Sequence, residues 1–114
     1  MTTNQHKQHL KDFIQELDED RFYDAHESLE AIWFPRRFED NDEVKLLKGF
    51  INAAVCFELV KKGRLEASQR AWNTYLKYKP LLQQINSENL SDYQDIVIHV
   101  EKTKSKLDIN LPDV

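Results

Sequence analysis

Between Asp42 and Lys62 the chain carries Val44, Leu46, Leu47, Phe50, Ile51, Ala53, Ala54, Val55, Cys56, Phe57, Leu59 and Val60. At about 100° per residue these side chains cover nearly the whole circumference of a helix. A helix that is apolar all round is buried on most of its sides. The other segments of the chain must therefore cover this one. Lys61 and Lys62 suit the negative end of its dipole, and Gly63 suits the position just past its last turn.

The flanking segments have the spacing needed to do so. Leu10, Phe13, Ile14 and Leu17 recur at i, i+3, i+4 and i+7, which predicts a helix over about 5–18. A second runs over about 20–33, stopped by Phe34 and Pro35, and the polar stretch 35–41 reads as a turn. A fourth helix starts near Arg64 and carries Leu65, Ala71, Trp72, Tyr75 and Leu76 up to a break at Pro80, with a further turn over 81–85. Ser91 with Gln94 reads as a capping box, and Tyr93, Ile96, Val97, Val100, Lys104 and Leu107 define a last helix. The expected fold is all-α: a compact bundle of four to five helices around 42–62. Residues 1–114 are expected to be one domain, frayed over the first few residues and over 108–114.

Composition narrows the function classes. With 40 % hydrophobic residues and only two Gly and three Pro in 114, the chain is neither collagen-like nor a disordered tail. A net charge of −4 supplies no field for a polyanion, so nucleic acid is disfavoured as a partner, local basic patches aside. No apolar run reaches the roughly 18 residues of a membrane span, and residues 1–15 lack a signal-like apolar stretch, so no membrane is expected. The single cysteine, Cys56, excludes an internal disulfide and points to the cytoplasm; inside an apolar helix it is a packing residue.

The chemistry-bearing segment is RFYDAHESLEAIW, residues 21–33. Phe22, Ala25, Leu29, Ile32 and Trp33 form its apolar face. His26 falls within that face, Glu30 at its edge, and Glu27 toward solvent. A core-facing histidine needs partners, because burying it unpaired costs about 1–3 kcal/mol. Glu30 is the nearest, and Lys48, Asn52 and Glu58 on the central helix are in reach. One reading is a buried His/Glu network pinning the second helix to the third. Another is a divalent-metal site on His26 and Glu30 with Glu58, or a metal hydrolase on His26, Glu27 and Glu30, although no Glu-x-x-His pair of the di-iron bundles is present. A third is metal-independent ribonuclease chemistry: Arg21-Phe22-x-x-x-His26 has the spacing of the HEPN ribonucleases. There the arginine holds phosphate and the histidine moves a proton. Asp18, Glu19, Asp20 and Asp24 around it would repel an RNA backbone. Trp72, Tyr75 and Tyr78 with Lys77 and Lys79 could stack bases, but read better as core aromatics beside solvated lysines. Arg36 and Arg37 are expected to pair with Glu39 and Asp40.

FYDAHESLEAIW (22–33) resembles the signature (F/Y)-(F/Y)-E-A-H-E-x-(W/L)-E-x-x-W of a bacterial and archaeal domain-of-unknown-function family, number 309. LKGFINAAVCFELVKKGRLEA (47–67) is similar to that family's second motif, and the two stand at a matching distance. The resemblance covers about 12–80 and implies an all-helical cytoplasmic domain without established activity. His26, Glu27, Glu30 and Trp33 match the first motif, and Gly49, Ala53 and Gly63 the second. Lys48 and Asn52 stand where the family often has glutamine, and Glu66 where it commonly has glycine. The chain is expected to be a non-enzymatic interaction or scaffold module without a cofactor, its partner an unknown protein or a second copy in a homodimer.

Overall fold

The structure, a computed structural model, describes residues 2–107 and Leu111. Five α-helices follow one another: α1 (Thr3–Asp18), α2 (Phe22–Trp33), α3 (Asp42–Lys61), α4 (Leu65–Tyr78) and α5 (Leu90–Leu107). No strand occurs among the described residues, and the β-rich run 96–100 is helical. α3 is the central element. It packs most extensively against α4 and along α2, while α1 lies between α2 and α5. The all-α bundle around 42–62 is the fold. Of the expected frayed tail, only Leu111 is among the described residues, and it is buried.

Each helix ends where local chemistry dictates. Thr2 and Gln5 form a capping box at the start of α1. Between α1 and α2, Asp20 takes a left-handed conformation (φ 60°), which a short polar side chain tolerates, and this starts α2 two residues later than the spacing predicted. Asn41 caps α3, its Oδ1 accepting from the Glu43 and Val44 amides. Gly63 closes α3 at φ 73°, with its amide on the Val60 carbonyl and that of Arg64 on Leu59. Pro35 and Pro80 each sit in a short 3-10 turn, Phe34–Arg36 and Lys79–Gln83. The Ser91 capping box is corrected: Ser91 lies inside α5, and the preceding turn is held by Ser87 Oγ accepting the Asn89 amide.

The core is aromatic at its centre. Phe22 stacks on Phe57, Phe57 on Trp72 and Trp72 on Tyr75, with centroids 5.5, 5.9 and 4.8 Å apart. Phe50 bridges Tyr75 and Tyr93. Each such side chain contributes on the order of 1.5–3 kcal/mol by leaving water. Trp72 and Tyr75 are fully buried, so they offer no base-stacking surface. Gly49 lets α3 and α4 approach: a Cβ there would stand 3.0 Å from the Tyr78 Cβ.

Candidate functional site

α2 buries Phe22, Ala25, Leu29 and Ile32. His26 is one position beyond Ala25, hence turned about 100° from it, and this carries it out of the core. Its side chain is 23 % exposed, and Nε2 lies 2.6 Å from Glu30 Oε2 within the same helix. A carboxylate only accepts, so Nε2 carries a proton toward Glu30. Nδ1 is buried without a hydrogen-bond partner among the described residues. The Tyr23 ring meets the imidazole edge-on, with centroids 6.0 Å apart. The Tyr23 hydroxyl bonds to Glu27, which raises its pKa above the usual phenol value.

The expected network from α2 to α3 is therefore corrected. Asn52, half-buried, turns back to donate to the Lys48 carbonyl at 2.9 Å, Lys48 is exposed, and Glu58 pairs with Lys62 at 3.0 Å. The His26–Glu30 pair stays local to α2. Trp33 is half-buried at the edge of the core rather than within it. Among the described residues no three His, Cys, Asp or Glu side chains converge as a metal site requires.

Arg21 stands at the N-cap of α2 with its guanidinium among carboxylates: 3.0 Å from Glu19, 2.9 Å from Asp24 and 3.9 Å from Glu16. Cys56 is wholly buried, and burial pushes its thiol up to about 12. The pairing expected for Arg36 and Arg37 holds for one of them. Arg36 reaches Glu39 and also Glu43, whereas Arg37 lies over the Phe34 and Phe38 rings, and Asp40 takes Lys45 instead.

The most connected polar cluster lies elsewhere, at the end of the bundle where α1, α3 and α5 meet. Glu43 Oε2 accepts from Ser87 Oγ at 2.6 Å and from the Tyr93 hydroxyl at 2.7 Å, while Oε1 faces Arg36 at 3.4 Å. His6 Nε2 is 3.4 Å from the Tyr93 hydroxyl. His6, Arg36, Glu43 and Ser87 line a cleft of about 340 Å³ with Asn89. Burial lowers the His6 pKa against the pull of Glu43. Burial alone would raise Glu43, but the bonds from Ser87 and Tyr93 and the charge of Arg36 outweigh it and hold the carboxyl below its usual range. Burial and the Glu43 charge both push the Tyr93 phenol upward. The only sequence signal for this cluster was a carboxylate in the first turn of the most apolar helix.

Neither a curated protein nor a solved structure matches the chain. The profile of a domain of unknown function, DUF309, matches residues 10–71, from Leu10 in α1 to Ala71 in α4. That stretch holds both motifs, the His26–Glu30 pair and the Gly49 and Gly63 positions, and it is more than half of the chain: the protein belongs to the DUF309 family.

Proposed function

We propose that this chain is a non-enzymatic helical interaction module of the cytoplasm, acting through the outward side of α2. One observation carries the reading: neither ring nitrogen of His26 is offered to a substrate. Nε2 is engaged by Glu30, and Nδ1 is closed off from solvent. A general base must reach the proton it takes, directly or through one water. What α2 does present is a surface, with Tyr23 57 % and Phe34 50 % exposed and Glu27 and Glu30 between them. The shared core of the described helices supports treating 1–114 as one domain. Placement in the cytoplasm rests on the lone buried thiol, which leaves no internal disulfide.

The competing ribonuclease reading needs Arg21 for phosphate, and three carboxylates already surround that guanidinium. The experiment is incubation of the purified chain with single-stranded RNA, with and without a chelator. No turnover is expected. Turnover that disappears in His26→Ala would overturn the proposal.

A further inference from the structure

The outward side of α2 continues past the helix end. Trp33, Phe34 and Arg37 all keep right-handed helical backbone angles. Tyr23, Glu27, Glu30, Phe34 and Arg37 therefore recur at alternating spacings of four and three along one side, the repeat by which two helices lie along each other. Phe38 extends the stripe and is 88 % exposed. The Arg37 guanidinium carbon sits 3.6 Å from the Phe34 centroid and 4.4 Å from that of Phe38, and Nη1 donates to the Phe34 carbonyl at 2.6 Å. Among the described residues no carboxylate pairs with Arg37, and the Glu30 carboxylate pairs with the His26 ring on its own helix.

The distribution of charge along this stripe points to its occupant. Carboxylates lie on the α2 side of Phe34 and a cation on the other, with the exposed Phe34 ring between them. A basic segment laid along it would run into Arg37, and an acidic one into Glu27 and Glu30. An antiparallel copy of the same stripe meets opposite charge at both ends. A two-fold axis is the operator that makes residue i meet j while j meets i.

We propose that a second copy of this chain docks here, about a two-fold axis passing near Phe34. Glu30 lies four positions before Phe34 and Arg37 three after it, so the axis sets each Arg37 against the other copy's Glu30 and brings the two Phe34 rings together. His26 is then a positioning residue that holds Glu30 for the partner. The proposal rests on the reading of the domain as an interaction module and names its partner. The exposed rings of one short stripe fall below the ~800 Å² per partner of a standard interface, so the dimer is a reversible one.

The test is sedimentation velocity on the full chain from about 10 μM to about 1 mM, the range in which weak association is read. The weight-average mass should climb from 13.6 kDa toward twice that value, and less steeply in ~1 M salt, where charge pairs are screened. Arg37→Glu should keep the helical circular dichroism and hold the chain monomeric. Adding Glu30→Arg to Arg37→Glu should restore association, which no merely structural role predicts. A monomer at every concentration, association untouched by Arg37→Glu, or failure of the double variant to restore it would each overturn the proposal. The RNA assay separates the two claims: a monomer without RNA turnover loses the second copy and keeps the module, whereas RNA turnover lost in His26→Ala removes the module itself.

Discussion

Tyr93 and Glu43 meet across the bundle: the phenol of α5 donates to the carboxylate of α3 at 2.7 Å, although fifty positions separate them. The same oxygen accepts from Ser87, and Arg36 stands at the other. A half-buried carboxylate is held ionised by this set of donors.

Tyr93→Phe keeps the ring in the core and removes one donor from Glu43. A hydrogen bond to a charged group is worth about 1.5–3 kcal/mol. The unfolding free energy from urea titration should fall by that amount, with an unchanged slope. Ser87→Ala should cost less, because Ser87 lies in a turn where water can take its place. No loss in Tyr93→Phe would contradict the described bond.

Acid should weaken the protein in two stages. The unfolded chain binds a proton at His6 near its ordinary pKa of 6.5, while burial lowers that pKa in the fold. The unfolded state therefore takes up more protons as pH falls through that value, and stability drops. Glu43 is depressed in the fold, so the stability it contributes is present above its ordinary 4.5 and lost as pH falls through the folded value. Glu43, Arg36, Lys7 and Glu88 are the charged groups acting on His6. Urea midpoints between about pH 7.5 and about pH 5.5 should decline in the native chain and flatten in His6→Gln. An equal decline in both would refute the role of His6.

Gly49→Ala sets two effects against each other. Alanine gains about 1 kcal/mol of helix propensity over glycine. The new Cβ would stand 3.0 Å from the Tyr78 Cβ, which is fixed to its backbone and cannot swing aside. Forcing packed helices apart costs about 1–3 kcal/mol, so a net loss is expected from thermal or urea unfolding. Gly63→Ala meets open space and loses for a different reason, the left-handed φ of 73°, at about 1–2 kcal/mol. A stabilised Gly49→Ala would mean that α3 and α4 do not approach this closely.

His26→Ala separates the surface pair from the interior network. A local pair that is 23 % and 42 % exposed is worth no more than about 1 kcal/mol. A loss of that size in the urea unfolding free energy is expected. A loss above about 2 kcal/mol would restore the buried network that the sequence pattern suggested.

Helical phase was enough where the apolar spacing leaves no doubt about the face. Leu10, Phe13 and Leu17, most of the girdle of α3, and Tyr93, Ile96 and Val100 of α5 are buried where their spacing puts them. Phase failed at His26 because that residue lies at the border of the apolar stripe, where a few tens of degrees decide between core and surface. It also failed at Ser91, since an i, i+3 pair fits both a cap and the first turn of a helix that started earlier. The Glu43 cluster was not legible at all. Its members come from α1, the turn after α2, α3, the turn before α5 and α5 itself, and their meeting is fixed only by how the helices stack. The pairing of Arg37 with two phenyl rings rather than a carboxylate likewise depends on a helical turn that continues beyond Pro35.

The tautomer of His26 tests the central claim most directly. Long-range ¹H–¹⁵N correlation spectra read which ring nitrogen carries a proton. A proton is predicted on Nε2, facing Glu30, with Nδ1 screened from solvent. A proton on Nδ1 with Nε2 open to solvent would contradict the account, because the ring would then hold a basic nitrogen out to a substrate and the catalytic reading would return.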